Sequence, residues 1–394
     1  MLAFDYYNPA KIIFGQGSCD KLPELLAAEK PTSVLLIYSG AFVKDLGIYA
    51  AVEQACEELG VAFFANGDVV PNPDVELVRE MVSLGKEQGF DFILAAGGGS
   101  AIDTAKAVAM GIPYDGDVWD FFVSEQRMES ALPIGVITTL PSSGSETSNC
   151  TIISHGVMKL GYEDDRIIPR FAIMDPTYTL TLPAYQTACG VADILAHLLE
   201  RYFSDVEHTD VTDYLIEGAV RALLINGERV VTSPEDINVR SELQWLASVA
   251  HNNLLDTGRS ADWGSHRIEH ELSAQYGITH GEGMAVVLVA WTTYMAVHKP
   301  KKLAQLANRV FGVDYYDHTP SQMALKLSKS LATFFKLLGL KTTLTELGIG
   351  DKDFVLMANR ATKGGKNPVG HYLPLDESRI IDILQLALSG PFHE

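Results

Sequence analysis

The sequence predicts an α/β N-terminal domain built on a parallel sheet, followed by an all-α C-terminal domain. Three observations carry that expectation. At 394 residues the chain exceeds what one hydrophobic core usually organises, so two domains are the default. Its first half alternates short, continuously apolar runs with helix-period segments, the pattern of strands covered on both faces. After DPTYTLTLP (175–183) strand signals almost vanish and helical patterns take over. The expected domains are therefore 1–184 and 185–394.

The elements follow in order. SVLLIYSG (33–40) reads as a strand ending in a small-residue turn, a helical pattern runs from Ile48 to Leu59, and VAFFANG (61–67) is a second strand. Pro73 and Asp74 start a helix that reaches Gln88. DFILAAGGGS (91–100) is a strand entering a glycine loop, AIDTAKAVAMG (101–111) the helix after it, and IGVITTL (134–140) another buried strand. In the second half GVADILAHLLERYF (190–203) has helical spacing. SPED (233–236) and TPSQ (319–322) each offer a hydroxyl N-cap, proline at the first helical position and an acid or amide at the third.

Composition removes several classes. Fifty acidic against thirty basic residues give a formal charge of −20, which disfavours the polyanionic surfaces of nucleic acid and membrane. The N-terminus lacks a basic segment followed by an apolar run, and no stretch reaches the roughly 18 apolar residues of a membrane span. Cys19, Cys56, Cys150 and Cys189 are scattered, without the spacing of a thiolate zinc site or a disulfide framework. A reducing, cytoplasmic setting is the expectation.

Two loops suggest a nucleotide. In FILAAGGGSAIDTAK, Gly97, Gly98, Gly99 and Ser100 follow a buried strand and precede a helix that carries Asp103 and Lys106. There backbone N–H groups and the helix N-terminus bind phosphate. The spacing is not GxGxxG, since Ile102 stands at the third glycine position, and no GK[ST] follows. A second polar loop, TTLPSSGSET (138–147), also leaves a buried strand, and loops at the carboxyl ends of parallel strands line the ligand crevice of open α/β sheets. Two such loops fit a ligand as long as a dinucleotide.

The helical half places polar groups in apolar surroundings. Asp193 and His197 lie four apart, on one helix face, among Val191, Ile194, Leu195, Leu198 and Leu199. GSHRIEHELSAQYGITHGEG adds His266, His270 and His280. A carboxylate in an apolar wall costs several kcal/mol unless neutralised, and a divalent cation shared with neighbouring imidazoles offsets that cost. Asp262, Glu269 and Glu271 are alternative oxygen ligands. One oxygen and three imidazoles without a thiolate suit Fe²⁺, Zn²⁺, Ni²⁺, Co²⁺ or Mn²⁺.

These segments resemble the iron-containing (group III) alcohol dehydrogenases, and within them the butanol dehydrogenase-like branch. The likeness runs from YNPAKIIFGQGS through GGGSAIDTAK, PSSGSE, FAIMDPTYTLTLP, GVADILAHLLERYF and DWGSHRIEHELSAQYGITHGEGMAVV to ANRAT. The resemblance implies an N-terminal dinucleotide-binding domain, a helical metal-binding domain, a divalent metal in the cleft between them and a homodimer. It places the metal ligands on Asp193, His197, His266 and His280, and a further active-site histidine on His270. It places cofactor contacts on Gly97, Gly98, Gly99, Ser100, Asp103, Thr138, Thr139 and Ser143. Here the second loop reads SGSETS where the family usually has TGSE. Ser39, Gly40, Ala41 and Phe42 stand where the branch often carries GGGS. No carboxylate follows the strand at Tyr38 to select a ribose diol, and Lys159 aligns with a lysine able to meet a 2′-phosphate, so the expectation leans to NADP(H) over NAD(H). The implied activity is hydride transfer between nicotinamide and a small primary alcohol or aldehyde, with His270 relaying a proton. The alternatives are a lyase of the same architecture, such as a dehydroquinate synthase-like enzyme, and a metal-dependent hydrolase.

Overall fold

Strands that are apolar at every position need cover on both faces, and one sheet of this chain meets that requirement. The structure is a computed structural model that describes residues 1–390, and the chain clusters into two compact units. The first comprises Tyr7–Leu182 with Ala247–Asn252. Its strands are β1 (Lys11–Phe14), β2 (Ser33–Tyr38), β3 (Ala62–Asn66), β4 (Phe92–Gly97) and β5 (Ile134–Thr138), then the antiparallel hairpin β6 (Cys150–His155) and β7 (Met158–Glu163), and finally β8 (Phe171–Met174). Six of them form a parallel sheet in the order β1-β8-β5-β4-β2-β3.

Besides two single-turn helices at Phe42–Asp45 and Asp120–Val123, four longer helices accompany the sheet: α1 (Leu22–Glu29), α2 (Ile48–Leu59), α3 (Val75–Gln88) and α4 (Gly99–Gly111). On β2, Leu35 and Ile37 join the core that holds Val78 of α3 and Val108 of α4. Val34, Leu36 and Tyr38 join the opposite core, with Leu26 of α1 and Val52 of α2. Two-faced burial is the reason β2 and β4 carry no polar alternation. Asp74 caps α3, its carboxylate accepting from the Glu76 N–H at 2.7 Å.

The sequence reading named β2, β3, β4 and β5 but not β1, β8 or the hairpin. β1 and β8 have four residues each, too short for any periodicity to register. The hairpin alternates buried and exposed positions, a half-covered pattern unlike the parallel strands around it.

The second unit comprises Met1–Tyr6, Pro183–Leu246 and the chain from Asn253 onward. It is largely helical: α5 (Ala184–Tyr202), α6 (Asp210–Thr232), α7 (Ile237–His251, its end clustering with the sheet unit), α8 (Gly264–Tyr276), α9 (His280–His298), α10 (Lys301–Arg309), α11 (Pro320–Leu337), α12 (Phe354–Ala361) and α13 (Glu377–Ser389). α9 is buried on all sides from Gly281 to Ala296 and packs against α5, α8, α11 and α13, as expected of a helix that is apolar all round.

TPSQ forms both bonds of a capping box at α11. SPED does not start α7. Ser233 closes α6 instead, and Asp236 supplies the cap, its Oδ1 accepting from the Asn238 N–H at 2.9 Å.

Candidate metal centre and cofactor loops

In the sheet unit the three consecutive glycines each answer a steric demand. A Cβ on Gly97, whose φ is +151°, would lie 2.6 Å from the Ser39 Oγ. One on Gly98 would lie 3.2 Å from the Leu140 side chain, and one on Gly99 2.6 Å from the Ser143 Oγ. The glycine loop is thus pressed against the loops that follow β2 and β5. The Thr139 N–H also donates to the Gly97 carbonyl at 3.0 Å. The first N–H groups of α4 have no partner within the helix, so the loop presents donors where an anion is favoured. The Thr139 hydroxyl is buried and makes no hydrogen bond, a second unmet polar atom at this strand end. Thr138, also buried, closes β5 opposite Gly97. Gly40, at φ +76°, lies under the Phe42 ring.

Beneath the loop lies a buried ionic network that the sequence reading had not assembled. The Lys106 ammonium donates to the Ser145 Oγ, the Ser148 carbonyl, the Ser148 Oγ and the Cys150 carbonyl at 2.8–3.2 Å. Asp103 accepts from the Ser145 hydroxyl at 2.6 Å and from the Ile152 N–H at 3.2 Å. Both oxygens of Asp103 therefore face the second loop and the hairpin. Burial pushes the Lys106 ammonium down to about 8, with Asp103 opposing. Burial likewise pushes the Glu146 carboxyl up to about 7. Lys159 is nearly buried on β7 and donates to the Asn72 Oδ1 at 3.0 Å.

In the helical unit the polar groups of α5 converge with those of α8 and α9. Asp193 Oδ1 lies 3.4 Å from the His280 Nε2, 3.6 Å from the His197 Nδ1 and 3.9 Å from the His266 Nε2. Atoms of Asp193, His266 and His280 all lie within 4.8 Å of one another, the spacing of groups that share one ion. His197 stacks on His266 with centroids 4.8 Å apart. His270 lies 5.6 Å from His280 by ring centroids and forms a second grouping with Glu269 and His280. Burial alone would raise the Asp193 carboxyl, but His197 and His280 hold it well below the usual range. Burial drives His197 well down. His266 is also desolvated, yet Asp193 and Glu200 raise it.

The chemistry of this donor set fits a divalent cation. His266 Nδ1 lies 2.9 Å from Glu200 Oε1, which leaves Nε2 as the ring nitrogen turned toward Asp193. That Nε2 is buried, makes no hydrogen bond, and looks toward a carboxylate oxygen 3.9 Å away. Two electron-rich atoms facing each other in an apolar wall call for positive charge between them.

The alternative oxygen ligands are engaged elsewhere. Asp262 accepts from the backbone N–H groups of Gly264, His371 and Tyr372 at 2.6–3.0 Å, and burial beside Glu200 pushes its carboxyl up to about 7. Glu271 pairs with Arg360 at 2.7 Å. Glu269 meets the His280 Nδ1 and the Ser273 hydroxyl. Trp263 enters α8 in the left-handed region at φ 60° and sets its ring edge-on, 5.2 Å from His266 and 6.0 Å from His197. The sequence reading passed over Glu200. Its signal was spacing, since it falls seven residues after Asp193 and three after His197 on the same helix face.

Comparisons with known proteins identify the family. Residues 9–176 match the family model for iron-containing alcohol dehydrogenase, and residues 187–388 the C-terminal model of the same family. NADH-dependent butanol dehydrogenase A of Clostridium acetobutylicum is 36% identical over 391 residues, covering 98% of this chain and 99% of the relative. The NADPH-dependent aldehyde reductase YqhD of Escherichia coli is 32% identical over 96% of this chain and 98% of its own length. The crystal structure of NADH-dependent butanol dehydrogenase A from Thermotoga maritima superposes with a TM-score of 0.94 at 32% identity, covering 99% of both chains. The chain belongs to the iron-containing alcohol dehydrogenase family and is an oxidoreductase of that class.

Proposed function

We propose that this protein is a metal-dependent, NAD(P)H-linked alcohol dehydrogenase or aldehyde reductase, acting on a small primary alcohol or aldehyde of butanol or butyraldehyde type. Asp193, His197, His266 and His280 are the proposed metal ligands, with Fe²⁺ or Zn²⁺ ahead of Ni²⁺, Co²⁺ and Mn²⁺. The observation that carries the reading is the convergence of the Asp193 Oδ1 with the Nε2 atoms of His266 and His280 in a buried wall. A divalent cation held there would supply Lewis acidity, worth several kcal/mol at an oxygen that gains negative charge when hydride adds to its carbon and, in the reverse direction, carries that charge before hydride leaves.

The remaining roles fall to side chains and backbone of this chain. Gly97, Gly98, Gly99 and Ser100 offer N–H groups to a pyrophosphate, and Ser39, Gly40, Thr138, Thr139 and Ser143 flank them on neighbouring loops. Asp103 contributes by tying α4 to the second loop through Ser145. His270, 9% exposed and 5.6 Å from His280 by ring centroids, is the proposed proton carrier. Family membership of both halves does not favour the lyase and hydrolase alternatives.

Three finer readings accompany this one. The cofactor reading leans to NADP(H) over NAD(H), because no carboxylate ends β2. The protein is a homodimer, the state the family resemblance implies, and β1 is an edge strand that pairs with β8 alone. A cytoplasmic setting is the third reading, resting on cysteines whose spacing suits no disulfide framework. The main test is His266→Ala, which abolishes turnover and metal retention while leaving cofactor binding intact. Near-normal activity without bound metal refutes the mechanism. A Michaelis constant for NADH well below that for NADPH refutes the cofactor preference.

A further inference from the structure

Each histidine facing Asp193 from α8 or α9 has a buried carboxylate behind it. One oxygen, Glu200 Oε1, gathers the His266 Nδ1 at 2.9 Å, the His266 backbone N–H at 2.9 Å and the Ser265 hydroxyl at 2.6 Å. Glu269 meets the His280 Nδ1 through Oε2 and the Ser273 hydroxyl through Oε1. Both carboxylates are essentially inaccessible, Glu200 at 1% and Glu269 at 0% exposure. The second glycine of the GEG turn makes room for this contact. A Cβ on Gly283 would lie 2.5 Å from Glu269 Oε1 and 2.9 Å from its Cγ.

We infer that Glu200 and Glu269 are positioning residues that hold His266 and His280 as Nδ1–H tautomers, with both Nε2 lone pairs turned toward Asp193. The inference rests on the metal reading above and deepens it. A carboxylate accepting from Nδ1 fixes the tautomer, locks the ring orientation and raises the basicity of Nε2. Burying two extra carboxylates is costly unless their charge is used. Here it balances a cation that one aspartate cannot neutralise alone. Glu269 also lies in the grouping with His270. Its contacts make it the support of His280, and Asp193 the oxygen that faces the ion.

The test uses the metal-free full-length protein titrated with Zn²⁺ against a competing chelator. Glu200→Gln and Glu269→Gln each weaken Zn²⁺ binding by about 10- to 100-fold. Glu271→Gln, on the same helix but paired with Arg360, leaves it unchanged. A purely structural role for Glu200, as a cap on the first turn of α8, lowers the melting temperature without changing the affinity of the folded protein. Wild-type affinity in both Gln variants overturns the inference.

A second measurement needs no variant to fold. Imidazole ¹⁵N shifts of the metal-free wild type show His266 and His280 protonated at Nδ1, and an Nε2–H tautomer at either residue overturns the inference. If the wild type takes up no Zn²⁺ at all, the metal reading itself fails. That outcome is distinct from equal affinities in wild type and variants.

Discussion

Gly281→Ala tests the geometry of the proposed metal centre without touching a proposed ligand. A Cβ at Gly281 would lie 2.1 Å from the carbonyl oxygen of Cys189, 2.6 Å from its carbon and 2.7 Å from its Cα. The shortest of these is more than 1 Å inside the usual separation of non-bonded heavy atoms. Every atom in the way is backbone of α5, so no rotamer change relieves the clash and the start of α9 must move away from α5. Inserting a methylene into a packed core costs about 1–3 kcal/mol, and a rigid obstacle puts this case near 3. The shift is also directed. His280 precedes the substituted residue and Asp193 lies one turn beyond Cys189, so the 3.4 Å approach of His280 Nε2 to Asp193 Oδ1 lengthens by on the order of 1 Å. Misplacement of that size in a catalytic constellation costs roughly 100-fold in rate. The assays are urea unfolding of the metal-free protein, chelator competition with Zn²⁺, and turnover. Gly218→Ala is the internal control, since Gly218 is an exposed position of α6 with nothing within 4 Å of a new Cβ, and it stabilises by about 0.5–1 kcal/mol. If Gly281→Ala leaves stability within about 0.5 kcal/mol of wild type and Zn²⁺ affinity unchanged, the close packing of α5 and α9 does not set the site.

Other perturbations bear on the cofactor loops. The Glu146 carboxyl is raised by burial from 4.5 to about 7, so the folded chain holds a proton that the unfolded chain releases. Stability attributable to this group therefore falls as pH rises from about 4.5 to about 7, by up to about 3 kcal/mol, at 1.36 kcal/mol per pKa step. Glu146→Gln removes that slope and is more stable than wild type at pH 8. Denaturant midpoints from pH 5 to pH 8 check it, and parallel curves for the two proteins refute it. Lys106→Met deletes an ammonium bound to four acceptors and leaves Asp103 buried beside an apolar chain, at a cost of about 3–5 kcal/mol. A raised Michaelis constant for the cofactor accompanies that loss, and stability within about 1 kcal/mol of wild type argues against the network. Stripping the metal with a chelator removes a native-state ligand worth about 4 kcal/mol at a thousandfold excess over its dissociation constant. Melting curves with and without Zn²⁺ check this, and coincident curves contradict a resident ion.

Much of the fold was legible where burial is uniform. β2 and β4 announce themselves because every residue is buried and the runs are almost wholly apolar, and α3 and α11 because Asp74 and Thr319 are strong caps. β1 and β8 are short, and their identity as strands depends on pairing with each other, which no local pattern encodes. SPED misled because a capping motif is scored without regard to where the preceding helix stops. At the candidate site, Asp193 and His197 stood out as polar residues on an apolar face. Glu200 did not, since it sits among the polar residues at the end of the same segment. Asp103 and Lys106 were visible as members of the glycine-loop helix. Their attachment to Ser145, Ser148 and Cys150 joins segments some forty residues apart and follows only from the fold.

Trp263 adds a practical property to the helical unit. Its indole is held by a left-handed turn, with the Arg201 guanidinium 4.7 Å from the ring centroid and two proposed ligand rings edge-on to it. An indole so close to a paramagnetic cation loses its emission, so Co²⁺ or Fe²⁺ entering between Asp193 and the histidines dims this fluorophore. Of the four tryptophans in the chain, Trp119 belongs to the sheet unit and stacks on Phe122, giving a signal to compare against. If the proposed ligands hold an ion, its occupancy is thus readable optically, without substrate or turnover.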